Sequence, residues 1–198
     1  MPRWIQWLFG ISIAILLVGA PIGYANYRQA TFRNFRTVRA DVLYRSGQLG
    51  LGGLKRVIND YAIRTVITLR DAAIAGETPP DIAEEEFCRK EDYGYLRITP
   101  RSWWKVDGKA PVDQGVRRFL EIMDDPENYP VLIHCFAGTH RSGAYCAIYR
   151  MEYEHWSNAE AIDELKASGY CNLDEEQDIL NYLETYQPRW RRSVAKDR

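Results

Sequence analysis

The stretch Val131-Leu132-Ile133-His134-Cys135-Phe136-Ala137-Gly138-Thr139-His140-Arg141-Ser142-Gly143 decides how this chain is read. Its first three residues are an apolar run of the kind that forms a short buried strand. Beyond it, Ala144-Tyr145-Cys146-Ala147-Ile148-Tyr149 reads as the opening of a helix. A cysteine is thus placed where a strand ends, and an arginine where a helix begins. Backbone N–H groups at a helix N-terminus lack intrahelical partners and, with the helix dipole, attract anions. A loop curling from strand to helix adds further N–H groups, and Gly138 relieves the turn where it is tightest. Arg141 offers a planar fork that can grip two oxygens of a phosphate-like anion. The same field favours a thiolate at Cys135, and the thiolate is the nucleophilic form. This arrangement suits holding a tetrahedral oxyanion and attacking it with sulfur.

Cys135-x5-Arg141, with His134 before the cysteine, Gly138 three residues after it and Ser142 after the arginine, resembles the signature of the cysteine-dependent protein tyrosine and dual-specificity phosphatases. The Gly138-Thr139-His140-Arg141-Ser142-Gly143 portion resembles the compact, atypical, Siw14-like group. That resemblance spans roughly residues 41–188. It implies a phosphocysteine intermediate on Cys135 and phosphate binding by the loop Phe136, Ala137, Gly138, Thr139, His140 and Arg141. It further implies that Ser142 helps the thiolate leave and that His134 supports the loop and the acidity of the cysteine. No metal or other cofactor is expected, since arginine and oriented dipoles supply the positive charge. Rhodanese-type sulfur transferases use a similar loop, typically with one residue fewer before the arginine.

The four cysteines, Cys88, Cys135, Cys146 and Cys171, match neither a zinc pattern nor a disulfide framework. Charge is unevenly spread. Five of the 26 basic residues and none of the 27 acidic ones lie in positions 1–40. The remainder is net acidic, which argues against a nucleic-acid partner for the globular part. Trp4 to Tyr24 carries no charge; as helix it would span about 31 Å, close to the ~30 Å hydrocarbon thickness of a bilayer. Trp4, Trp7, Tyr24 and Tyr27 sit where interfacial aromatics do. Residues 1–27 are therefore expected as a single-pass membrane anchor. A cleaved secretory signal ending near Gly23-Tyr24-Ala25 is the alternative and would make the protein secreted or periplasmic. Arg28, Arg33, Arg36 and Arg39 outnumber Arg3, placing the remainder in the cytoplasm by the positive-inside rule. Residues 28–40 read as a basic juxtamembrane linker, 41–188 as the catalytic domain, and 189–198 as a frayed basic tail.

Within 41–188, strands are expected at 42–46, 64–70, 95–99 and 131–133. Helices are expected at 51–61, from Pro79 to near Gly94, at 112–123, from Ser142 to His155, and after Ser157-x-x-Glu160 and Asp174-x-x-Gln177, two capping signals. The alternation predicts a three-layer α/β sandwich of the tyrosine-phosphatase type, with a central sheet of four or five mostly parallel strands. Its active loop lies at a strand's C-terminal end. Arg45 either faces the phosphate pocket or makes a structural ion pair. Phosphate ester cleavage needs a proton for the leaving group, and an acid on a mobile loop can supply it. The loop Pro100–Pro111 carries Trp103, Trp104 and Asp107, and Trp104-x-x-Asp107-Gly108-x-x-Pro111 loosely resembles the family's Trp-Pro-Asp loop. Asp107 is the preferred donor; Asp113, at the start of the next helix, is the rival. The expected substrate is a phosphorylated protein or a small phosphate ester. An inositol (pyro)phosphate phosphatase and a phosphate-binding module without turnover are the alternatives. Oligomeric state is not legible.

Overall fold

A computed structural model describes residues 2–191. Five strands, β1 (Arg36–Arg39), β2 (Leu43–Ser46), β3 (Thr65–Thr68), β4 (Gly94–Arg97) and β5 (Val131–His134), form one sheet in the order β1-β2-β5-β3-β4. β1 is antiparallel to β2, and the other four strands run parallel. The helices are α1 (Arg3–Phe32), α2 (Leu51–Tyr61), α3 (Ile82–Lys90), α4 (Asp113–Met123), α5 (Arg141–Tyr153), α6 (Asn158–Ala167) and α7 (Gln177–Glu184). β2, β3 and β5 are buried along their whole length, as parallel strands covered on both faces are.

Side chains alternate across the sheet. Tyr44, Val66 and Leu132 pack against Leu54, Val57 and Ile58 of α2 and Cys88 of α3. Leu43, Ile67, Val131 and Ile133 face Phe119, Ile148, Leu165 and Leu183 of α4 to α7. These are the three expected layers. The same alternation carries Ser46, Thr68 and His134, which share one register across β2, β5 and β3, onto the α2/α3 side. A buried polar row thus lies just beneath the loop that leaves β5.

Two expected segments differ in the structure. Residues 28–40 are not a linker: α1 continues to Phe32, and β1 joins the sheet from Arg36. Phe32 and Phe35 pack into the α2-side core, with Phe35 4.6 Å from the Tyr61 ring and stacked on Tyr44. The arginines between them mask this spacing; on an edge strand they discourage pairing with other chains. The tail is not frayed where it begins. Arg189 pairs with Asp124 at 2.7 Å and Glu152 at 3.0 Å, and the Trp190 indole donates to the Met151 carbonyl at 2.8 Å. Positions 192–198 lie outside the described residues. The Ser157–Glu160 capping box is present, whereas α7 starts at Gln177 without a side-chain cap from Asp174.

Arg3–Gln29 is long and apolar enough to cross a membrane and is unburied. Its last turn belongs to the globular part: Thr31 is buried, and Tyr27 accepts a hydrogen bond from Arg56.

Candidate active site

The β5–α5 loop wraps around the Cys135 sulfur. Gly138 N–H donates to Sγ at 3.2 Å, and the Ser142 hydroxyl lies 3.4 Å from it. The loop's carbonyls are tied outward: Gln48 N–H donates to the Phe136 carbonyl at 3.0 Å and Asn34 Nδ2 to the Ala137 carbonyl at 2.7 Å. In a planar trans peptide the C=O and the following N–H point opposite ways. Holding those two oxygens outside therefore turns the Ala137 and Gly138 N–H groups inward. Gly138 has φ +82°, and a Cβ there would lie 2.2 Å from the Gly47 nitrogen, so only glycine lets the loop close against the end of β2.

Cys135, Phe136, Ala137, His140 and Arg141 line one open pocket. Arg141 Nη1 donates to the Leu69 carbonyl at 3.2 Å, which fixes the guanidinium at the mouth and leaves its other N–H groups for an anion. His140 stacks on buried Tyr170 at 4.5 Å, and the Tyr170 hydroxyl donates to Glu176. Thr139 instead faces Gly169 after α6. Arg45 matches neither expectation. It is buried beneath Gly143 and donates to the Ser168 carbonyl at 2.9 Å, tying the turn after α6 under α5.

Burial opposes a thiolate at Cys135. The Ser142 hydroxyl and N–H, the Gly138 N–H and nearby His134 outweigh it, so the thiol ionises below its ordinary value. Burial without such donors pushes Cys88 and Cys146 up to about 12. All four cysteines are free. Cys88 packs in the α2/α3-side cluster and Cys135 in the other. The thiol chemistry is therefore concentrated at one sulfur by its donors, not by its exposure.

Asp107 lies at the exposed tip of a small hairpin closed by Val106 and Lys109. It does not line the Cys135 pocket. Trp103 anchors this loop in the core, edge-on to Tyr145 and Tyr182, while Trp104 and Val106 are exposed beside Asp107. Asp113 is occupied: it accepts from the Ala110 N–H at 2.9 Å and from the Tyr182 hydroxyl at 2.8 Å. A third carboxylate, Asp71, follows β3 two residues after Leu69. The Thr99 hydroxyl at 2.6 Å holds its carboxyl below the usual range, against a smaller opposing effect of burial.

Sequence reasoning did not find Asn34, Gln48 or Glu84. Glu84 had a legible signal: Asp81, Glu84 and Cys88 recur at helical spacing, and all three are buried. The acidic run Glu84-Glu85-Glu86 masks it, because exposed acids are common in the first turn of a helix.

A family model described as a DSP-PTPase phosphatase fused to NAD+ kinase matches residues 24–180. The dual specificity protein phosphatase TpbA of Pseudomonas aeruginosa is 33% identical over 54 residues, 27% of this chain and 25% of that protein. Human CDC14A, a dual specificity protein phosphatase, is 40% identical over 57 residues, 29% of this chain and 9% of that one. The chain thus spans a quarter or less of the length of the first curated relatives it matches. Among solved structures, the core catalytic domain of the PP-IP phosphatase SIW14 from S. cerevisiae superposes with a TM-score of 0.62 at 20% identity, covering 84% of this chain and 93% of that one. TpbA superposes equally well, at 21% identity over 82% and 91% of the two chains.

Proposed function

The chain belongs to the DSP-PTPase family described above, and on that premise we propose that it hydrolyses phosphate monoesters through a phosphocysteine intermediate. The observation that carries the reading is the sulfur of Cys135 held by the Gly138 N–H and Ser142 Oγ inside a loop whose carbonyls face away. The Cys135 thiolate attacks phosphorus, and the P–O bond to the leaving group breaks. Arg141 and the loop N–H groups hold the three non-bridging oxygens as charge builds. Water then attacks the phosphocysteine, inorganic phosphate departs, and the Ser142 hydroxyl steadies the released thiolate.

Asp107 supplies the proton to the leaving oxygen and takes one from water in the second step. Two features support it over its rivals. Asp113 and Asp71 are engaged in structural hydrogen bonds, and Asp107 accepts none among the described residues. It also lies on an exposed tip beside the anchored Trp103, and the role requires that tip to close over a bound ester. Asp107→Asn is expected to lower kcat for an alkyl phosphate by about 10²–10³-fold, and less for a nitrophenyl phosphate whose leaving group needs no proton. An equal loss on both esters, or a larger loss in Asp71→Asn, would remove Asp107 from this role.

The mouth favours a substrate bearing further negative charge. Two guanidinium groups lie against the exposed Phe136 ring, Arg33 at 4.1 Å and Arg70 at 5.3 Å. Neither arginine pairs with a carboxylate among the described residues. A phosphotyrosine in an acidic protein segment fits an aromatic and cationic rim. The paired arginines also favour a second reading, an inositol pyrophosphate, the substrate class named for SIW14. Turnover of a phosphotyrosine peptide, a phosphoserine peptide and an inositol pyrophosphate by the full chain in detergent decides between them. No turnover of any, with phosphate bound, would leave a binding module.

The N-terminal helix serves as a single-pass anchor with the catalytic domain in the cytoplasm, supported by its length, its unburied apolar surface and the arginines that follow it. The intact mass of the chain recovered from cell membranes tests this; loss of residues through Ala25 would make it a cleaved signal.

A further inference from the structure

Behind the nucleophile lies a buried series of polar contacts that the reaction above does not use. His134 is buried on the α2/α3 side, and its Nε2 lies 2.6 Å from Glu84 Oε1. Glu84 comes from α3, fifty positions upstream, and is buried as well. Two further donors reach it: the Tyr95 hydroxyl at 3.3 Å from Oε1, and Gln48 Nε2 at 3.1 Å from Oε2. The Gln48 amide is oriented by Arg70, whose Nη1 donates to Gln48 Oε1 at 3.1 Å. A group reached by this many donors is held as a carboxylate, which only accepts. The proton between the two side chains therefore resides on His134 Nε2.

Among the surrounding charges, Asp81 also acts on His134, more weakly than Glu84. Asp81, the residue just before α3, is matched by Arg97 of β4 at 2.5 Å and by the Thr68 hydroxyl at 2.5 Å. The other arm of Arg97 pairs with Glu85 at 2.9 Å. Cys88, one turn onward, and Tyr95 face the carboxylate as neutral groups. The other ring nitrogen, Nδ1, is buried with no hydrogen-bond partner among the described residues, and Cys135 is the next residue along the chain. Burial alone would make His134 neutral; the Glu84 carboxylate, with a smaller push from Asp81, outweighs it, so the ring titrates above the ordinary histidine value.

We propose that Glu84 is a positioning residue for the nucleophile: it holds the proton on His134 Nε2 and turns the positive end of the buried pair toward Cys135. This builds on Cys135 as the nucleophile, but its effect is readable without turnover. Remove the carboxylate, and a buried imidazole sheds its charge because burial disfavours ions. The sulfur then loses a neighbouring cation and needs a higher pH to ionise.

The test uses the full chain in detergent, with iodoacetamide as probe and mass spectrometry following the Cys135 peptide. Glu84→Gln keeps the shape and removes the charge. The midpoint of alkylation against pH should rise by about one unit, lowering the rate about tenfold on the acid side. The acid limb of kcat/KM should shift with it while KM stays level. Glu84→Asp should recover part of the shift. An unchanged midpoint in folded Glu84→Gln overturns the proposal. If that variant does not fold, the nitrogen-15 shifts of His134 in the unmodified protein decide: a ring protonated on both nitrogens at neutral pH supports the proposal, and a neutral ring overturns it. A shifted midpoint in a protein that hydrolyses no ester would retain the Glu84 effect and refute the phosphatase reading instead.

Discussion

Cys135→Ser is expected to reduce phosphate ester hydrolysis to background, a loss on the order of 10⁵-fold or more, while the protein still binds phosphate or vanadate. Loss of a covalent nucleophile removes the step itself, and what binding and oriented donors retain is small. The serine hydroxyl has no comparable means of ionising at neutral pH. It would keep the Gly138 N–H and Ser142 contacts that now reach Sγ, so the cup should survive. Two measurements separate the outcomes. Acid-quenched reaction with a phosphorus-32 ester should label wild-type Cys135 and leave the variant unlabelled. Calorimetry with vanadate should show binding in both. Turnover in the variant within tenfold of wild type would mean that the sulfur is not the nucleophile.

Arg141→Lys should lower kcat/KM by about 10³-fold, comparable to the removal of arginines that stabilise phosphoryl transfer. The substitution keeps the positive charge and loses the fork. It also abandons the Leu69 carbonyl, which now accepts from Arg141 Nη1 at 3.2 Å and sets the angle of the guanidinium. A lysine ammonium reaching the same volume can meet one oxygen well, not two. The loss should appear in kcat and in vanadate affinity together, since vanadate resembles the five-coordinate state that the fork holds. A change of less than threefold in both would show that the loop amides alone carry the oxyanion.

The two substitutions probe the two halves of the loop that were legible from the start. Strand, cysteine, glycine, arginine and helix are consecutive in sequence, so local rules suffice to order them: an apolar β run, a turn requiring positive φ, and a helix N-terminus. The capping box at Ser157 and the apolar faces of α2 and α4 were readable for the same reason. Contacts between distant segments were not. Asn34, Gln48, Leu69 and Glu84 act on the loop from four separate stretches, and of these only Glu84 carries a periodic signal in its neighbours. Residues 28–40 misled because local charge density outweighed two well-spaced aromatics.

The amino-acid order by itself determined the parallel α/β class, the placing of Cys135 and Arg141 at opposite ends of one turn, and a leading apolar helix. These follow from periodicity and from backbone limits that act over a few residues. Only the tertiary structure decided which carbonyls are drawn outward, that Arg45 serves the scaffold, that Asp113 is already engaged, and that a carboxylate from α3 stands behind His134. Those outcomes depend on strand register and on burial, which raises the cost of every unpaired charge and so dictates partners that lie far apart along the chain.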